Sequence, residues 1–367
     1  VTDVFLSGAL CHAPLLSAVI GRSPELRSAT LLDYSLIWSE DHPAGWVEPA
    51  PGQQVAGCVA TDLSESEAAR LGFYAEVLGL TTQAVDATVG GTPVRCRLWS
   101  APAPRAGLPW DEAAYLARWA GAVTATAGDI MAHYGRRPAA DLRGRTGPML
   151  VRGASRARAG GGATALRRRA QAQDVEVIAR RQPYAAFFAV EEYDLRFRRF
   201  DGSMSPVVSR AIFISGDAVT VLPYDPVRDR VLLIEQFRAA VHARGDDQPW
   251  LLEVIAGRVD PGETPQQAAR REAVEEAGLS LGELLEVASY YPSPGAKAEY
   301  LYSYVALTDL PDGTAGTFGL ATEAENIRSH LISFDQLMAL VPSGEAANAP
   351  LILTALWLER ERGRLRR

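Results

Sequence analysis

GRVDPGETPQQAARREAVEEAGL, residues Gly257 to Leu279, gathers four glutamates, one aspartate and three arginines into twenty-three positions. Its boundaries can be read from residue chemistry. Thr264 precedes Pro265, which suits a first helical position, Gln267 completes a Thr-x-x-Gln capping box, and Gly278 can end the helix in a left-handed conformation. This predicts a helix over roughly 265–277. Glu272 and Glu276 are four residues apart and Glu275 is three from Glu272, so the three side chains share a face. Carboxylates that close repel, and the face loses helix stability or raises a pKa unless a cation sits among them. A hard divalent ion resolves the conflict. Magnesium takes oxygen ligands and is held by one or two carboxylates together with substrate phosphates, with manganese as the alternative. Gly257 permits close backbone approach, so the carbonyl of Ala256 can supply a further oxygen. Arg271 is placed to orient a neighbouring carboxylate such as Glu263. Taken alone, a glutamate-rich helix reads as a solvated, salt-bridged surface, and only the wider pattern decides against that.

The rest of the chain narrows the class. Its 367 residues point to two domains, each able to bury a core, and 47% hydrophobic with 22% charged residues is an ordinary globular balance. A net charge of −7 argues against a nucleic-acid or anionic-membrane binder, so a polyanionic substrate needs a metal ion or a local arginine group to neutralise it. Cys11, Cys58 and Cys96 form no CxxC pair and no even disulfide set, and read as reduced thiols. The opening VTDVFLSGAL lacks a basic leader, and no run reaches the ~18 apolar residues of a membrane span, so a cytoplasmic protein is expected.

The chain alternates helix and strand signals. Val4-Phe5-Leu6 reads as a strand, Asp62 to Gly79 as a helix capped by Asp62 or Ser64, TPVRCRLWSAP as a strand, and Pro109 to Gly135 as a long helical region. Between about Arg136 and Gln173 the composition turns to Arg, Ala and Gly, with Gly160-Gly161-Gly162. The expected division is a domain over 1–140, a solvated basic linker over 141–174, and a domain over 175–367. Beyond it, strand-like FFAVEEYDLRFRRF, SRAIFISG, AVTVLPYD and RVLLIEQFR precede the quoted helix. LLEVASYYPS, AEYLYSYVAL and a helical APLILTALWLERERGRL follow it. Strands on both sides of one central helix predict a mixed-sheet α/β sandwich.

Gly257, Glu263, Arg271, Glu272, Glu275, Glu276 and Gly278, with apolar Ala273 and Leu279, meet every fixed position of Gly-x5-Glu-x7-Arg-Glu-U-x-Glu-Glu-x-Gly-U. A chance match is on the order of one in a million at average residue usage. The segment thus resembles the Nudix hydrolases, which implies metal-dependent hydrolysis of a nucleoside diphosphate linked to another moiety, with Glu272, Glu275 and Glu276 as metal ligands. LLIEQFR, PWLLEVIAG, SPGAKAEYLY and GLATEAENIR resemble the bacterial ADP-ribose pyrophosphatases in order and spacing, over roughly Val175 to Leu358. That resemblance implies hydrolysis of ADP-ribose to AMP and ribose 5-phosphate. It makes Glu323 the residue that deprotonates or orients water, with Glu325 next and Glu275 a further candidate base. It also implies an acidic position near the metals at Glu299, a phosphate contact from Arg238, and an adenine sandwich of Phe187 and Arg210 from the partner subunit of a homodimer. Another nucleoside diphosphate sugar or a dinucleotide is the alternative substrate.

VFLSGALCHAPLL resembles the opening of the γ-glutamylcyclotransferase-like fold, a small mixed α/β barrel, over about Val4 to Gly135. Ser7 stands where that family has its tyrosine, and Ala75 where it has its acid/base glutamate. Such a domain lacks its proton-transfer group and is expected to be an inactive scaffold or a ligand sensor. A chain acting mainly through ligand sensing by this first domain is the alternative from a different class.

Overall fold

The computed structural model describes residues 3–40, 43–102, 106–320 and 324–366. The chain forms two compact units, Val1–Ser209 and Arg210–Arg367.

In the first unit, β1 (Val4–Leu6) runs through a 3-10 turn (Gly8–Cys11) into α1 (Ala13–Ile20). β2 (Leu26–Trp38) and β3 (Gly45–Ala60) form a long hairpin, followed by α2 (Glu65–Val77), β4 (Thr81–Val89) and β5 (Thr92–Ser100). β1 pairs with β3 and β5, β5 with β4, β4 with β2, and β2 with β3, which closes a five-stranded barrel; the short β6 (Leu108–Pro109) adds to β2. Successive residues of β1 serve two cores: Phe5 fills the barrel with Leu31, Val59 and Leu98, while Val4 and Leu6 meet the helices outside it. Ser64, not Asp62, caps α2, in a reciprocal box with Glu67. The long helix expected over 109–135 is two, α3 (Glu112–Arg118) and α4 (Ala120–Met131), broken at Trp119, whose indole donates to the Glu40 carbonyl at 3.1 Å. Cys11 and Cys58, 47 positions apart, bring their Sγ atoms to 3.4 Å as free thiols.

The stretch 141–174, read as a linker, is ordered over much of its length. A 3-10 segment (Ala139–Arg145) leads into α5 (Thr146–Arg158), which packs on α4 and buries Met149, Val151 and Ala154. Only 159–171 has neither helix nor strand. β7 (Val175–Ala185) and β8 (Ala189–Phe197) then pair antiparallel. They fall in the first unit, so the division lies at 209/210.

β9 (Val208–Ile214) enters the second unit, where its end pairs in parallel with β15 (Lys297–Ala298). β10 (Ala218–Asp225), β11 (Arg230–Phe237), α6 (Ala239–Arg244), β12 (Trp250–Glu253), β13 (Ile255–Arg258) and α7 (Pro265–Ala277) follow. β14 (Leu284–Tyr290), β16 (Leu301–Leu307), β17 (Thr317–Phe318), β18 (Ile327–Ser333), α8 (Phe334–Ser343) and α9 (Ala349–Leu365) complete it. The sheet runs β14-β16-β10-β11-β18-β17, with β12 on β11 and β13 on β10. The β10–β16 pair is parallel and its neighbours antiparallel, so the sheet is mixed. Alternation along β11 builds both layers: Leu232 and Ile234 meet Ala269, Ala273 and Ala277 of α7, while Val231 and Leu233 meet Leu351, Ala355 and Leu358 of α9. This α/β/α sandwich presses α7 against β13 and sets the candidate site between them.

Candidate active site

α7 is fixed at both ends by its own sequence. Thr264 Oγ1 accepts from the Gln267 N–H at 3.2 Å, Gln267 Oε1 accepts from the Thr264 N–H at 2.8 Å, and Gly278 closes the helix at φ 63°. The caps leave one helical register, and that register turns Glu272 and Glu276 inward. Glu276 is 2% exposed and accepts the Ala256 N–H at 2.9 Å. Ala256 lies opposite Thr220 of β10, and because its N–H leaves that ladder, its carbonyl leaves it on the same side, toward the helix. Glu272 fits only because residue 257 has no side chain: a Cβ there would stand 1.8 Å from Glu272 Oε1.

Arg271 is the hub. Its Nη2 donates to Glu263 Oε1 at 2.8 Å and to the Arg258 carbonyl at 3.0 Å, and its Nη1 to Glu272 Oε1 at 2.7 Å and Glu275 Oε2 at 3.0 Å. Glu263 also accepts the Asp260 N–H at 2.6 Å, which shapes the loop before the helix. Among the described residues no three His, Cys, Asp or Glu side chains are drawn into a ready metal cluster; the guanidinium spans the carboxylates instead.

Burial pushes the Glu276 carboxyl up to about 8, against the pull of the Ala256 N–H, and Glu272 and Glu325 add like charge. Burial likewise raises Glu272 to about 7, with Arg271 opposing and Glu275 and Glu325 assisting. One guanidinium therefore does not balance this acidic group. Oxygen donors, a deficit of positive charge and a glycine cradle fit a hard divalent cation at Glu272, Glu275, Glu276 and the Ala256 carbonyl.

Glu325 projects its charge onto Glu272, Glu276 and Arg238, and its Oε2 accepts the Leu320 N–H at 3.2 Å. Its loop is tied to α7: the Gly319 N–H donates to the Glu275 carbonyl at 3.3 Å. Glu323 lies outside the described residues. Arg238 meets Glu253 through both arms of its fork, Nε to Oε1 at 2.8 Å and Nη2 to Oε2 at 2.6 Å. Glu253 escaped the sequence reading, since a two-armed partner fifteen positions away has no signature in spacing. Glu299 accepts from Ser215 Oγ at 3.3 Å and pairs with Lys297 at 2.8 Å. Phe187 belongs to the first unit, exposed on the β7–β8 turn with its ring edge-to-face on Phe188, and Arg210 is exposed on β9.

Residues 215–354 match the NUDIX domain family. The ADP-ribose pyrophosphatase of Escherichia coli (strain K12) is 43% identical over 186 residues, covering 51% of this chain and 88% of that protein. That of Haemophilus influenzae is 35% identical over 189 residues, with 51% and 87% covered. A GDP-mannose pyrophosphatase of Salmonella paratyphi B is 31% identical over 150 residues, with 41% and 77% covered. Identity and coverage of that order place the acidic helix in a shared architecture, and the chain belongs to the Nudix family of pyrophosphatases.

Proposed function

We propose that this chain hydrolyses the diphosphate of ADP-ribose to AMP and ribose 5-phosphate, with Mg²⁺ as the resident ion and Mn²⁺ as its substitute. The observation that carries this reading is the inward-turned pair of buried Glu276 and partly buried Glu272, short of positive charge beside Ala256, in a chain 43% identical to an ADP-ribose pyrophosphatase. Glu272, Glu275, Glu276 and the Ala256 carbonyl would hold the ion, which when bound offsets diphosphate charge and lowers the pKa of water. Arg271 is a positioning residue that keeps Glu263, Glu272 and Glu275 in register. Arg238, whose Nε and Nη2 are held by Glu253, is assigned the phosphate contact through the Nη1 side of its guanidinium. Water attacks phosphorus, the bond to the bridging oxygen breaks, and a carboxylate takes the proton. Glu323 is assigned that role, with Glu325 and Glu275 the alternatives; the nearness of Glu325 to Glu272 and Glu276 supports an acceptor on this loop. Glu299 is read as an outer member of the acidic shell.

The chain is further read as a homodimer in which Phe187 and Arg210 of one copy flank the adenine held by the other. Val175, Val177 and Ile178 support this, since each leaves about half of its apolar surface open on β7. Residues 1–140 are read as a cyclotransferase-like domain without catalysis, and 175–367 as the hydrolase. No helix of the described residues is long and apolar enough to cross a membrane.

A GDP-mannose pyrophosphatase among the relatives favours, as a second reading, another nucleoside diphosphate sugar. Nucleoside monophosphate release from ADP-ribose, GDP-mannose and a dinucleotide, each with and without Mg²⁺, separates the two. ADP-ribose should lead in kcat/KM by about tenfold or more. A lead for GDP-mannose supports the second reading, and no turnover of any compound overturns both.

A further inference from the structure

We infer that the helices of the barrel unit are the seat of the β7–β8 hairpin, and that Arg145 is a positioning residue for ADP-ribose, acting through Phe187 at the hairpin's turn. The inference rests on the reading that Phe187 flanks the adenine; every contact that carries it lies within the first unit.

The hairpin needs support from outside itself. β7 is the edge strand of its sheet, held by main-chain pairing to β8 on one side. That pairing slips between Arg181 and Tyr184, so Tyr184 with Val190 and Ala185 with Ala189 are the paired positions before the turn. The Ala186 N–H closes the turn on the Phe188 carbonyl at 2.8 Å. Phe187 rides there 55% exposed, its ring edge-to-face on Phe188 with centroids 4.7 Å apart. So short a pairing does not by itself fix where the ring stands.

The helices beside the barrel supply the rest. Arg180 of β7 reaches Asp129 of α4 at 2.7 Å, and Glu191 of β8 accepts from Arg156 of α5 and from Arg180, both at 2.5 Å. Asp129 and Glu191 are 1% and 0% exposed. Charges at that depth hold one arrangement, because withdrawing a partner strands an uncompensated charge away from water. Gln182 lies beside the imidazole of His133, in the turn after α4. Nearest the hairpin turn, Arg145 donates through Nη1 to the Ala185 carbonyl at 2.9 Å, two positions before Phe187. An ionised donor makes such a bond about twice as strong as a neutral one. Arg145 closes the 3-10 segment whose Ala139 and Leu142 belong to the core shared by these helices. A continuous line of contacts therefore runs from that core through Arg145 and Ala185 to the Phe187 ring. A recognition group has to be held to within about 0.5 Å of its productive position. The barrel unit thereby serves substrate binding by fixing a side chain rather than by touching the substrate.

The test is a double-variant cycle on the intact chain, read by KM and kcat for ADP-ribose at saturating Mg²⁺ and by hydrogen exchange of residues 175–197. Arg145→Met removes the donor and keeps the aliphatic stem, whereas Arg145→Lys keeps a donor. Arg145→Met should raise KM about fivefold with kcat within about twofold of the parent. It should also speed exchange in 175–197 by about tenfold while β2 and β3 stay as protected as in the parent. Arg145→Lys should recover most of both losses. Phe187→Ala should raise KM at least as much, and adding Arg145→Met to it should raise KM no further, since both act on one ring. The inference is overturned if Arg145→Met leaves KM or exchange unchanged while Phe187→Ala raises KM, or if the two effects multiply in the double variant. An unchanged KM in Phe187→Ala overturns the adenine reading itself, and the role of Arg145 with it.

Discussion

Glu276 sits at the buried end of the α7 carboxylates, holding the Ala256 N–H at 2.9 Å, and glutamine in its place keeps the size while removing the charge an ion needs. Glu276→Gln should lower kcat for ADP-ribose by roughly a hundredfold or more, measured as AMP release at saturating Mg²⁺. Folding should be unharmed, because the variant removes a buried carboxyl that is costly to ionise. At this scale the sequence was legible wherever spacing along one helix decides geometry: residues 272, 275 and 276 follow from helical periodicity. It was illegible where partners come from other elements. The reach of Arg271 to the Arg258 carbonyl, and the clasp of Glu253 on Arg238, are tertiary relations that no local pattern encodes.

Among the elements, α7 and α9 were readable from cap to cap because Thr264, Pro265, Gln267 and Gly278 each do one local job, and Ala349–Leu365 is a continuous helical pattern. Thr264→Ala should cost about 1 kcal/mol in urea denaturation followed on the intact chain. α5 escaped notice because its buried face includes an arginine: Arg152 is 1% exposed beside Met149 and Val151, and composition alone made the stretch look solvated. The β2–β3 hairpin was hidden by Pro49, Pro51 and Gly52 in β3 and by a bulge near Asp33, at φ 63°, which breaks the two-residue alternation. α4, α5 and the β7–β8 pair share a buried charge group. Arg156 and Arg180 each reach Asp129 Oδ1, at 2.6 and 2.7 Å, and both reach Glu191 Oε1 at 2.5 Å. Burial pushes the Glu191 carboxyl up, but Arg180, Arg156 and the Tyr193 hydroxyl outweigh it and hold it down at about 2. A carboxyl depressed on folding stabilises fully above its unfolded value, about 4.3, and loses that contribution as pH falls through the folded value. Tryptophan fluorescence should therefore report a progressive loss of first-unit stability between about pH 4.5 and about pH 2, and Glu191→Gln should flatten that dependence.

For the molecule as a whole, length and composition foretold two units, but the contact boundary at 209/210 groups β7 and β8 with the barrel. Composition cannot reveal this, because it marks where a chain stops looking apolar rather than where its contacts divide. The proposed homodimer predicts a mass twice the chain's 39.5 kDa in light scattering, and Phe187→Ala should raise KM for ADP-ribose with little change in kcat. The expectations for turnover depend on acidic groups of one helix that are short of positive charge and supplied with it by a divalent ion. Titrating Mg²⁺ into the intact chain while following AMP release from ADP-ribose tests that most directly. The account predicts no turnover in chelator and a saturable rise as the ion is added; turnover that is undiminished in chelator would contradict it.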